Sequence, residues 1–181
     1  MNKYLQIFLL LAICFSSCKK KPEVALADIK KKCKEINEKQ KDLKSKHVDD
    51  LTSARGGAIT GFYKDDEVKK ILSERYTDTC RTFTEYYFDD GMLIFILKQN
   101  FVYNLPITYT EEKAKERNDS VWYDDKKTQL GISRYYFNDN KLIKWVDAGG
   151  NDIPPKTAKF IDKGYELLGE TVILIKQLKE Q

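Results

Sequence analysis

The side chains able to do chemistry in this chain are few and unevenly spread. There is one histidine, His47, four cysteines at 14, 18, 33 and 80, and carboxylates in adjacent pairs, as in Asp49 with Asp50, Asp65 with Asp66, Asp89 with Asp90, Glu111 with Glu112 and Asp124 with Asp125. A single imidazole cannot build a multi-histidine metal site, and it would have to serve alone as the base for any serine or cysteine nucleophile. Neighbouring side chains in a strand point to opposite faces, so an adjacent acid pair is poorly placed to hold one substrate. Turn chemistry explains most of these pairs. Glu85 and Asp89, four apart on one strand face, define the enzymatic reading, a hydrolase that works with carboxylates alone. No acid spacing matches the EF-hand loop, and the Gly56-Gly57 and Gly149-Gly150 pairs lack the spacing and following helix of a phosphate cradle. Neither a metal nor a cofactor is expected.

The elements that must position these residues show a ten-residue pattern repeated three times without a gap, at 62–71, 87–96 and 136–145. Each copy has two aromatics, a polar turn with Asp at its fourth position, an aliphatic residue at its seventh and a large apolar residue at its tenth. Asp90-Gly91 between apolar runs is a strong hairpin signal, because a type I′ turn needs positive φ at both central residues; Asp65-Asp66 and Asp139-Asn140 are poorer versions of it. Two-residue loops would place Tyr63 opposite Val68, Phe88 opposite Leu93 and Phe137 opposite Leu142. Three hairpins in sequence make an antiparallel β-meander of about six strands. The run 92–97 is apolar at every position, as in a central strand covered on both faces. For 68–76 the repeat argues strand, although Val68, Ile71 and Leu72 also fit a short helix.

Helices are expected at both ends. Residues 23–46 contain no internal Gly or Pro, and Leu26, Ile29, Cys33, Ile36, Gln40, Leu43 and His47 recur at steps of three and four, a stripe suited to lying across the sheet. Residues 155–179 follow Pro154 and carry Ile161, Gly164, Leu168, Ile175 and Leu178 on one stripe. The charged stretch 110–128 reads as a long loop or short surface helix. The expected fold is therefore α+β, one domain over 23–181, with a hairpin sheet at 57–147 between two amphipathic helices.

Charge narrows the partners. The formal net charge of +4 divides into +6 over residues 19–46 and −3 over residues 47–181. The folded body lacks the basic stripe of a nucleic-acid binder, so no nucleic-acid partner is expected. Aromatic residues make up 12% of the chain. Trp122, Tyr123, Trp145, Tyr86 and Tyr135 are the candidates for an exposed binding surface.

The first residues carry a single charge at Lys3, then an apolar stretch at 4–15 and Ser16, Ser17 and Cys18, with Lys19, Lys20 and Lys21 behind. This layout reads as an export signal, too short in its apolar part to span a bilayer. Small residues leading into a cysteine resemble the signal of the bacterial lipoprotein family, although Phe15 stands where that family usually has Leu. The resemblance implies removal of a signal peptide at 1–17, an acyl anchor such as palmitate on Cys18 and a tether at 18–22, with the three lysines drawn to anionic lipid. Lys19, rather than Asp, after the cysteine implies the outer membrane over the inner. In that oxidising compartment Cys33 and Cys80 form an even pair that suggests a disulfide, the alternative being two buried free thiols. The hairpin repeat itself resembles the aromatic-Asp-Gly hairpin arrays of exported bacterial proteins of unknown role. The expected function is a non-catalytic envelope lipoprotein that binds another protein or a cell-wall component; a carboxylate hydrolase and a periplasmic inhibitor or immunity protein are the alternatives.

Overall fold

Seven antiparallel strands lie side by side in strict chain order in the computed structural model, which describes residues 22–181. The elements are α1 (Pro22–Glu38), β1 (Lys44–Asp49), β2 (Gly57–Lys64), β3 (Glu67–Tyr76), β4 (Cys80–Asp89), β5 (Met92–Val102), α2 (Glu111–Glu116), β6 (Gln129–Asn138), β7 (Lys141–Val146) and α3 (Ala158–Glu180). The α+β meander is as expected, with one strand more than the six read from the repeat. The signal region, Cys18 and the three lysines lie outside the described residues.

The three repeat copies are three hairpins of the same construction. Their turns take positive φ at both central residues: 50° and 65° at Asp65 and Asp66, 48° and 70° at Asp90 and Gly91, 49° and 55° at Asp139 and Asn140. The flanking pairs Tyr63 with Val68, Phe88 with Leu93 and Phe137 with Leu142 form as the two-residue loops require. Directly beyond each pair the register shifts, leaving Lys69, Ile94 and Ile143 as the extra residue of a β-bulge. The bulge explains the repeat's spacing. With one residue inserted, the seventh and tenth positions fall on the same face, so Leu93 with Ile96 and Leu142 with Trp145 enter one core together, while Ile94, Phe95 and Ile143 turn to the other.

Each face has its own helix. On one side α3 covers Ile71, Tyr86, Phe88, Ile96, Phe137 and Trp145 with Phe160, Leu167, Leu174 and Leu178. Its 23 residues extend about 34 Å, which matches the roughly 29 Å across seven strands. Gly164 permits the approach at its β7 end, where a Cβ would stand 3.1 Å from that of Leu142. On the opposite side α1 lays Leu26, Ile29, Cys33 and Ile36 on Tyr87, Ile94, Phe95 and Tyr136. It crosses only the end of the sheet that carries the hairpin turns.

Three expectations need correction. The first helix stops at Glu38 rather than running to 46; a 3-10 turn at Gln40–Asp42 follows, and residues 44–49 are edge strand β1. Helical stepping through Leu43 and His47 was coincidental with strand alternation, in which Val48 alone is buried and the lysines face solvent, as suits a sheet edge. Cys33 and Cys80 are both free thiols. Cys33 projects from α1 onto one face of the sheet, whereas Cys80 alternates with Tyr86 toward α3, so the sheet separates them. Tyr86, Tyr135 and Trp145 are 0%, 5% and 6% exposed and belong to the α3 core. The segment 68–76 is strand.

One buried charge ties α3 to the β1 side. The Asp50 side chain is fully covered; its Oδ2 accepts from Arg75 Nε at 2.5 Å, and its Oδ1 from the Thr52 backbone N–H and hydroxyl at 2.9 and 2.6 Å. Arg75 also pairs with Glu170 of α3, and Gln177 accepts from the Leu51 N–H at 3.0 Å. Burial pushes the Asp50 carboxyl up, but the bonds from Arg75 and Thr52 outweigh it and hold it below its ordinary range. A lowered folded-state value means stability that is present above the ordinary carboxyl range and lost as pH falls through it. Asp50→Asn should cost about 3 kcal/mol at neutral pH and flatten the acid limb of a denaturation-midpoint profile below about pH 4. In the turns, Asp66→Gly should raise the urea midpoint by about 0.5–1 kcal/mol of stability while Gly91→Ala lowers it by a similar amount.

Candidate binding face

Because α1 crosses only the turn end of its face, the other half of that face has no helix over it. Strand alternation places Arg81 and Phe83 of β4 there, on the same side as Tyr87, and the register sets Phe101, Gln99 and Leu97 of β5 beside them. Leu130, Ile132 and Arg134 follow on β6, and Tyr76, Glu74 and Leu72 on β3. Leu130 is 51% exposed and the other apolar members are half-buried, packed against one another rather than under a helix.

The aromatics form a connected row. Tyr76 meets Phe83 edge to face with ring centres 6.4 Å apart, and Phe83 meets Phe101 likewise at 5.7 Å. The Arg81 guanidinium lies 4.8 Å from the centre of the Phe101 ring, a cation–π contact, while its Nε is buried with no hydrogen-bond partner. Burial first, and then a hydrogen bond to Glu74 at 3.0 Å, push the Tyr76 hydroxyl above its ordinary pKa.

The segment between β5 and β6 closes this end. Tyr103 N–H donates to the Thr79 carbonyl at 2.9 Å, Asn104 bonds both the Trp122 carbonyl and the Asp124 N–H at 2.9 Å, and Tyr103 and Tyr123 rings meet at 5.4 Å. The short helix α2 is pinned by the buried Ala114. Trp122 stays 38% exposed. Of the five aromatics expected at a surface, the structure thus keeps Trp122 and Tyr123 at the rim and removes the other three to the core.

The residues with catalytic potential are occupied elsewhere. Glu85 accepts from Lys70 Nζ at 2.7 Å and from the Tyr87 hydroxyl, and Asp89 pairs with Lys32 of α1. Lys70, 5% exposed, also donates to Asn37 at 2.8 Å and Gln40 at 3.1 Å, so this cluster holds the end of α1 to the sheet. His47 is exposed on β1, bonded only to Thr60 at 3.0 Å. Among the described residues no group of histidine, cysteine and carboxylate side chains is placed to hold a metal ion, and no helix is long and apolar enough to cross a membrane. No family model, curated protein or solved structure matches the chain.

Sequence reasoning missed Tyr76, Arg81, Phe83 and Phe101. For two of them the signal was present: Phe83 and Arg81 stand four and six residues before Tyr87 and share its face by strand alternation.

Cys33 differs sharply from a reactive cysteine. Burial pushes its thiol up to about 12, the nearby Lys70 offsetting only part of this. A raised value leaves less thiolate at a given pH. Iodoacetamide at pH 8 should therefore alkylate Cys33 in the folded protein about a thousandfold more slowly than an unperturbed thiol, with full reaction of both Cys33 and Cys80 in urea without reductant. Peptide mass spectrometry reads both.

Proposed function

We propose that this chain is a non-catalytic envelope module, held at a membrane through an acyl group on Cys18 and the adjacent lysines, that binds a protein partner on the open half of its sheet. Arg81 carries this reading. An arginine stacked on Phe101 whose buried Nε has no protein partner leaves an uncompensated polar group within an aromatic face, at the end where Tyr76, Phe83 and Phe101 meet. Aromatic residues and arginine are the types enriched where protein interfaces bury most deeply, and lysine is depleted there. Half-buried Phe83, Leu97, Phe101 and Ile132 around it fit that composition. A carboxylate hydrolase receives no such support, since Glu85 and Asp89 each hold a lysine.

Two measurements test the two halves of the proposal. Crosslinking in the intact envelope should capture a reproducible protein partner, and Arg81→Ala or Leu130→Asp should weaken that capture at least tenfold with the thermal midpoint unchanged. Capture indifferent to both substitutions would remove this face as the site. For the anchor, mass spectrometry should find a mature chain that begins at acylated Cys18, and Cys18→Ser should release the protein from membranes; an unmodified Cys18 would refute the anchor alone.

A further inference from the structure

At the turn end of the molecule, along the β7 edge of the sheet, lies a cavity of about 610 Å³. It opens between the β6–β7 turn, the start of α1 at Ala25 and the first three turns of α3. Leu142, Phe160, Gly164 and Leu168 form its body, and Ile161, 46% exposed, stands at its mouth. The space is open to solvent at one side, and its size and mostly apolar lining are those of a ligand-binding groove.

Its charge is one-sided. Lys141 and Lys156 line it, Asn138 and Asn140 add neutral polar groups, and none of the lining residues is acidic. Lys156 is held with φ at 70°, a conformation uncommon for a residue with a side chain, directly after Pro155 at the approach to α3. Apolar walls with cations at the opening complement an amphipath that has an aliphatic tail and an anionic head. A space of about 610 Å³ is on the scale of a single small-molecule ligand such as one acyl chain, rather than of a whole two-chain phospholipid.

We propose that this cavity binds a single long-chain fatty acid, tail between β7 and α3, carboxylate at Lys141 and Lys156. The site is separate from the open sheet face and does not depend on the partner assigned there.

The test uses the full chain in phosphatidylcholine nanodiscs, photolabelled with a diazirine analogue of palmitate and mapped by peptide mass spectrometry. Labelling should saturate, fall on peptides from β7 and the start of α3, and be displaced by palmitate. Hexadecanol should compete about tenfold less well, because it lacks the charge-assisted bonds to lysine. Ile161→Trp should cut labelling at least tenfold by filling the mouth, and Lys141→Gln with Lys156→Gln should bring palmitate down to the level of hexadecanol. All three side chains are exposed, and an unchanged thermal midpoint separates lost binding from lost folding. Displacement by phosphatidylglycerol as effective as by palmitate would overturn the single-chain reading. Labelling that is non-saturable, insensitive to Ile161→Trp, or directed to peptides before residue 22 would overturn the site.

Discussion

The structure depends on one geometric device, the bulge that follows each type I′ turn. A plain hairpin would alternate its side chains strictly, and the residues at the seventh and tenth repeat positions would point to opposite faces. Inserting Lys69, Ile94 and Ile143 brings them to the same face. That single offset lets α3 be served by Leu93 with Ile96 and by Leu142 with Trp145, and it turns Ile94, Phe95 and Ile143 toward α1. A sheet covered on both sides by one helix each follows directly. Bulges also increase local twist, and three in the same position add theirs in concert along one end of the sheet.

The two helices are not equivalent. α3 spans the whole sheet and buries Phe160, Leu167, Leu174 and Leu178 against the strands' side chains, whereas α1 spans one end and is fastened there by polar contacts from Lys70 and Asp89. The Lys32–Asp89 pair is partly exposed, and ion pairs of that kind contribute little net stability. The unequal coverage is what creates the open aromatic face. It also leaves the two proposed sites at opposite ends of the sheet, so occupancy of one imposes no steric demand on the other.

Much of the fold was legible because turn chemistry is local. Asp90-Gly91 and its two relatives announced the hairpins, and the cross-strand pairs at Tyr63, Phe88 and Phe137 followed from loop length alone. β1 was not legible, since its Leu43-to-His47 spacing satisfies a helix as well as it does a solvent-facing edge. The fate of Tyr86, Tyr135 and Trp145 was equally hidden: composition names an aromatic but not the face it takes, and all three depend on where α3 lands. The disulfide failed for a similar reason. Parity on β4 sends Cys80 toward α3, and only the assembled sheet shows that Cys33 lies behind it. The cavity has no sequence signature, because its lining comes from three separated segments.

Strict neighbour-to-neighbour order in the sheet has a consequence for how the chain acquires its shape. Every strand pairing joins consecutive segments, so the loop-closure entropy opposing each step is small and the hairpins can form independently. The α3 face is different. Tyr86, Phe88, Ile96 and Phe137 stay in water until a helix that comes after all seven strands arrives to cover them. A sheet that forms ahead of α3 therefore exposes that apolar face to water, the condition that favours aggregation.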